Sequence, residues 1–175
     1  MVFLLVIGIA GGLYILKDAC MKVENIGGVM SPFYKKKWLL VVLLLLIFTG
    51  DIAVCYYADG VWNGLKLVIA LCIFAGAAWT DGNCKIIPNP YSVILLGSRI
   101  LIFIPEGIHS WDKLSTEIIG SVVSVLICIS FLLIMRKVTG GGLGFGDVKL
   151  LTALSFLCGI YAAAGTLLIG LLFCM

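Results

Sequence analysis

Apolar residues run in long unbroken stretches along this chain. They cover Val2–Leu16, Trp38–Tyr57, Leu65–Trp79, Tyr91–Ile104, Ile118–Met135, Val148–Cys158 and Ile160–Phe173. None alternates with period two, so none reads as a half-buried strand or as a barrel strand. Continuous runs of this kind are helices that enter or cross a bilayer, where a helix satisfies its own backbone. The pattern predicts an all-α membrane protein: a polytopic helical bundle with about six to seven hydrophobic helical segments. Val2–Leu16 is short for a crossing, and Ala19–Met21 extends it. Thr49-Gly50-Asp51 interrupts the second run. The segments Lys17–Lys37, Thr80–Pro90, Pro105–Thr116 and Thr139–Gly146 read as polar connections. The first run has no basic residues before it and lysines after it, so a retained span is expected, not a cleaved signal. The chain stops at Met175 directly after apolar residues, as a truncated span would.

Composition points the same way. Of 175 residues, 62% are hydrophobic and 12% charged. A soluble domain is typically about 25% charged, and a small one cannot hide so many apolar groups in one core. A soluble enzyme and a disordered chain are therefore excluded. The seven cysteines include no C-x-x-C pair and mostly sit in apolar runs, where cysteine packs as a small hydrophobe. Neither a disulfide framework nor a metal site is expected.

The net charge is +3, with the basic residues near the ends of the runs. That is a poor nucleic-acid footprint, so no nucleic-acid partner is expected, and a good topology signal. Lys17, Lys22, Lys35, Lys36 and Lys37 mark the first connection, Lys85 the third, and Arg136 with Lys137 the fifth. These connections should be cytoplasmic and the N-terminus outside. Trp38, Tyr56, Tyr57, Trp62, Trp79, Tyr91 and Trp111 fall near run ends, as interfacial belt residues do.

Acidic residues beside lipid are costly, and three stand out: Asp51, Asp81 and Asp147. Asp81 opens the polar segment after the third run, and Asp147 closes the glycine-rich segment before the sixth. The bland reading makes Asp81 a solvated helix end, with Pro88 and Pro90 starting the next helix. It makes Asp147 a first-turn residue favoured by the helix dipole, after a flexible linker. The predicted topology instead brings both to the cytoplasmic side. Two carboxyls close together share one proton and titrate as a unit. Such a pair holds a water that attacks a peptide carbonyl. Other hydrolytic designs fit poorly. A zinc site of the H-E-x-x-H kind needs two histidines, and only His109 is present, in a connection expected outside. The glycine run lacks the spacing of a phosphate-binding loop.

Gly144-Phe145-Gly146-Asp147 resembles the G-x-G-D motif of intramembrane aspartyl proteases. Its continuation, Val148-Lys149-Leu150-Leu151, is similar to the type IV prepilin peptidase branch, which includes the preflagellin peptidases. In that family the first catalytic aspartate is followed seven residues on by proline in an Ile/Leu-Pro-Asn/Asp context. Asp81 is followed at that offset by Ile87-Pro88-Asn89. The resemblance covers roughly Leu65–Phe173. It implies a single integral membrane peptidase domain over residues 1–175 that cleaves the basic leader of type IV prepilin-like precursors. Asp81 and Asp147 would be the catalytic pair, with Gly144 and Gly146 shaping the approach to the second. Pro88 and Asn89 would support the first, and Lys149 would snorkel to the interface or tune the pair. The implied partners are a prepilin, pseudopilin or preflagellin precursor and membrane lipid. The implied location is the cell's inner (cytoplasmic) membrane, with the site toward the cytoplasm, and no cofactor or metal is implied. Many members carry a cytoplasmic domain with C-x-x-C pairs, linked to N-methyltransferase activity. Residues 17–37 hold only Cys20, so a peptidase-only form is expected. The presenilin branch shares G-x-G-D, but its Pro-Ala-Leu-Pro element is absent from this chain.

Two other classes compete. Asp51 and Arg99 lie inside apolar runs and would line a polar path, or pair, in a small transporter. A catalytically idle membrane scaffold would keep the fold alone.

Overall fold

The structure is a computed structural model that describes residues 2–25, 37–58, 60–109 and 111–174. Among the described residues it is all-α, with seven helices: α1 (Val2–Asn25), α2 (Lys37–Tyr57), α3 (Val61–Cys84), α4 (Asn89–His109), α5 (Trp111–Val138), α6 (Phe145–Cys158) and α7 (Ile160–Cys174). Val61–Cys84, Asn89–Ile108 and Leu114–Val138 are long and apolar enough to cross a bilayer. The chain is thus an all-α protein of membrane type. Lys35 and Lys36, which mark the first connection, lie outside the described residues.

Helices outrun the apolar stretches at several ends, and α5 begins at Trp111, inside the predicted connection Pro105–Thr116. Helix α1 continues through the polar residues to Asn25, and α3 through Thr80–Cys84. Helix α4 continues through Pro105 to His109, where a connection is predicted. Apolar runs report where lipid or core lies, whereas a helix goes on into water as long as its hydrogen bonds are met.

The chain forms two compact units, Met1–Pro88 and Asn89–Met175. In the first, α3 packs on α1 and α2, which also touch each other. Val68, Cys72, Ala75 and Trp79 repeat every three to four residues, a single helical stripe. They meet Leu16 and Ala19 of α1 and Ile47 of α2. Helices in lipid associate by close packing because lipid tails are as apolar as leucine. Gly8 and Gly12 of α1 allow that approach. A Cβ on Gly12 would stand 3.2 Å from Ile47 Cγ2. A Cβ on Gly8 would run into the carboxylate of Asp51, which is 0% exposed. Neither oxygen of Asp51 has a hydrogen-bond partner, while the Cys72 thiol donates to the Gly8 carbonyl at 3.3 Å.

In the second unit α6 is the central helix, packed by α4, α5 and α7. Val148, Leu150, Ala153, Leu154 and Leu157 are buried along it. Its 14 residues span about 21 Å, less than the roughly 30 Å hydrocarbon layer. Gly159, at φ 87°, ends it, donating its N–H to the Ser155 carbonyl at 3.0 Å, and α7 follows at once.

Arg99 ties α4 to α5. It is 1% exposed and contacts Glu106 Oε2 at 3.1 Å and Glu117 Oε2 at 2.9 Å. It also donates to Ser121 Oγ at 3.3 Å and lies 4.1 Å from the centre of the Phe103 ring. This explains the helical turn around Pro105. Proline there removes one backbone hydrogen bond. Keeping the helix places Glu106 two turns beyond Arg99 on the same face, where the buried guanidinium needs a carboxylate. Arg99 is therefore held by neighbouring carboxylates. Trp79 and Tyr91, expected at the interfacial belt, are buried instead.

Candidate active site

Asp81 stands exposed in the last turn of α3, in the first unit. Side chains carry the helix past the apolar stretch. Thr80 Oγ1 donates to the carbonyls of Gly76 at 3.1 Å and Ala77 at 3.0 Å. Asn83 Nδ2 donates to the Trp79 carbonyl at 2.7 Å. The helix closes on Asp81 itself, because the Lys85 N–H donates to the Asp81 carbonyl at 2.9 Å. Lys85 makes this bond from the left-handed region, φ 55° and ψ 29°, and is the one non-glycine residue with positive φ among those described. A side chain there costs about 1–2 kcal/mol, and such strain clusters at functional sites. The chain then leaves through Ile86, Ile87 and Pro88. Asn89 opens α4, with Pro90 in its first turn, where a missing N–H is harmless.

Asp147 stands exposed in the first turn of α6, in the second unit. The glycines before it do two different jobs. Gly140 and Gly141 close α5: their N–H groups donate to the carbonyls of Lys137 at 3.3 Å and Arg136 at 2.9 Å. Both have positive φ, 61° and 91°, which glycine adopts without a Cβ penalty. This part is a hydrogen-bonded helix cap, not a loose linker. Gly144 differs. Its φ of −61° and ψ of 140° are open to any residue, so its backbone does not require glycine. The space does. A Cβ on Gly144 would lie 2.8 Å from Asp147 Oδ2 and 3.7 Å from its Cγ. The first glycine of the motif thus leaves room for the carboxyl that follows it. Gly146, between them, is half-buried.

Lys149 lies two residues beyond Asp147, about 200° round the helix. Its Nζ donates to Asn89 Oδ1 at 3.3 Å, so residues from the two sequence motifs meet within the second unit. Lys149 Nζ and Arg136 Cζ each lie 4.9 Å from the centre of the exposed Phe145 ring. On this face α4, α5 and α6 enclose a groove of about 690 Å³. Neither the contacts of Phe145 nor the groove was visible in the sequence; Phe145 carries no signal beyond its place inside the glycine motif. Cys84, beside Asp81, is a half-buried free thiol.

The model of the type IV leader peptidase family matches residues 67–175, a stretch that includes both aspartates and both motifs. The chain belongs to the type IV leader peptidase family, and with it to the peptidases. No significant match was found among curated proteins or among solved structures.

Proposed function

We propose that the protein is an aspartyl endopeptidase that removes the basic leader of type IV prepilin-like precursors, working at the cytoplasmic face of the cell's inner membrane. Asp81 and Asp147 supply the two carboxyls. One observation carries the reading: each motif aspartate stands exposed at the end of an apolar helix, Asp81 in the last turn of α3 and Asp147 in the first turn of α6. The topology supports the pairing, since α4 and α5, the helices between the two aspartates, are each long enough to cross. Two crossings return the chain to the side it left.

In this reading the ionised carboxyl takes a proton from water as the water oxygen bonds to the peptide carbon. The protonated carboxyl gives its proton to the carbonyl oxygen. The tetrahedral intermediate then breaks its C–N bond, and the leaving amine departs with a proton from the first carboxyl. As the C=O bond re-forms, a hydroxyl of the intermediate returns its proton to the second carboxylate, which leaves the first ionised and restores the pair. The Lys149–Asn89 contact holds the start of α4 beside the helix that carries Asp147. Precursors of the prepilin, pseudopilin or preflagellin kind are the substrates.

The test is cleavage of a basic-leader precursor by the purified protein in liposomes, read by product mass. One cut at the junction of leader and hydrophobic helix is expected. An intact precursor, or cuts scattered along it, would overturn the proposal.

A further inference from the structure

We infer that the groove between α4, α5 and α6 is a binding site for one anionic phospholipid, with the headgroup phosphate held by Arg136 and Lys149. The inference lies within the second unit and does not depend on the reaction proposed above.

The groove has the depth profile of a phospholipid. Helices α4 and α6 begin at the level where α5 ends, as the contacts of Lys149 with Asn89 and of Arg136 with Phe145 require. At that level stand Asn89, Arg136 and Lys149. Deeper along α4 come Val93 and Leu96; deeper along α5 come Leu133 and Ile129. On both helices the step from polar mouth to apolar wall covers seven residues, about 10 Å at the helical rise. A headgroup followed by the top of an acyl chain presents the same succession. The volume, about 690 Å³, lies within the roughly 300–1,000 Å³ of single-ligand sites. Val93, Leu96 and Leu133 remain exposed in it.

Charge selects the occupant. Arg136 and Lys149 both face the ring of Phe145, and neither pairs with a carboxylate among the described residues. Lys149 lines the mouth of the groove, and Arg136 stands against Phe145, which lines it too; two cations so placed beside an apolar groove are the chemistry that takes a phosphodiester. The same cations repel a basic peptide. A zwitterionic lipid such as phosphatidylcholine offers the same phosphate but brings its own choline cation, which competes with Arg136 and Lys149 for it and adds like charge beside them.

The experiment is native mass spectrometry of the purified full chain in detergent, with equal amounts of dioleoylphosphatidylglycerol and dioleoylphosphatidylcholine added. The expected spectrum shows a one-to-one phosphatidylglycerol adduct well above the phosphatidylcholine one. Each cation near an anionic headgroup is worth about fivefold in occupancy, so R136Q/K149Q should lower that adduct roughly thirty-fold. Leu96→Trp leaves both cations in place and fills the groove, and it should lose the adduct too. Glycerol phosphate, which offers the phosphate without chains, should not displace the lipid. Equal adducts of the two lipids on the native protein would overturn the inference. So would an undiminished adduct in either variant, displacement by glycerol phosphate, or displacement by a basic leader peptide. The readout is bound mass, so it stands or falls apart from any cleavage assay.

Discussion

Replacing Gly144 with alanine should leave the protein folded and cripple its site. The backbone at this position, φ −61° and ψ 140°, is one that alanine adopts freely, so no backbone strain is added. The whole effect comes from one methyl group. Its carbon would lie 2.8 Å from Asp147 Oδ2, where ordinary contact begins near 3.4 Å, so the carboxyl must move by about 0.6 Å. The carboxyl ends a flexible side chain and can turn away. Leaving its preferred rotamer costs about 0.5–1.5 kcal/mol, and alanine is a poorer helix N-cap than glycine by a comparable amount. Stability therefore falls only slightly. Catalysis is less forgiving, since a misplacement approaching 1 Å at a reacting group costs on the order of a hundredfold. We expect a ten- to hundredfold lower initial rate of precursor cleavage in liposomes, with the unfolding temperature in detergent little changed. Gly142→Ala is the control. Its Cβ would approach nothing closer than the Thr139 carbonyl at 3.4 Å, and cleavage should stay within about twofold of the native rate. A folded G144A protein that cleaves at the native rate would refute the reasoning, as would equal damage from the two substitutions.

Three further outcomes follow from the packing. Gly8→Ala should destabilise by about 1–3 kcal/mol through overpacking against Asp51, and the same change should cost almost nothing in an Asp51→Ala background; detergent unfolding of the four proteins measures the coupling, and additive losses would contradict the contact. Arg99→Ala should cost about 3 kcal/mol or more, because it breaks a buried pair with Glu106, 14% exposed, and empties the space of a side chain 1% exposed, whereas Glu117→Gln, at a site 55% exposed, should cost under about 1 kcal/mol; equal losses in unfolding temperature would speak against the buried pair. Lys149→Gln and Asn89→Ala should each lower stability by about 0.6 kcal/mol, with the double variant no worse than either single one; a summed loss would show that the two side chains do not act together.

The helical architecture was legible because lipid forces it: unbroken apolar runs admit no other backbone-satisfying structure in a bilayer. The break at Gly159 was legible for the same reason, as a lone glycine between two apolar stretches. The helix ends were not. Hydropathy stops at Trp79 and Ile104, but Thr80 and Asn83 cap carbonyls of α3, and Glu106 answers Arg99 across two turns of α4. Such contacts depend on which polar atoms meet, and apolar periodicity carries none of that. The motif residues could be picked out by spacing, yet the reason for Gly144 lies in a distance to the next carboxyl, and the partner of Lys149 lies sixty residues earlier in the chain. Trp79 and Tyr91 show the converse failure. An aromatic near the end of a run has one composition whether it faces the headgroups or the core.

The central claim is that Asp81 and Asp147 act as one unit on a single water. The most direct measurement is the cleavage rate of Asp81→Asn, Asp147→Asn and the double variant, in membranes where each protein is present in equal amount. Groups that act together are non-additive on removal. Each single change should abolish processing, and the double change should be no worse. Processing that survives either substitution, or losses that multiply when the two are combined, would contradict it.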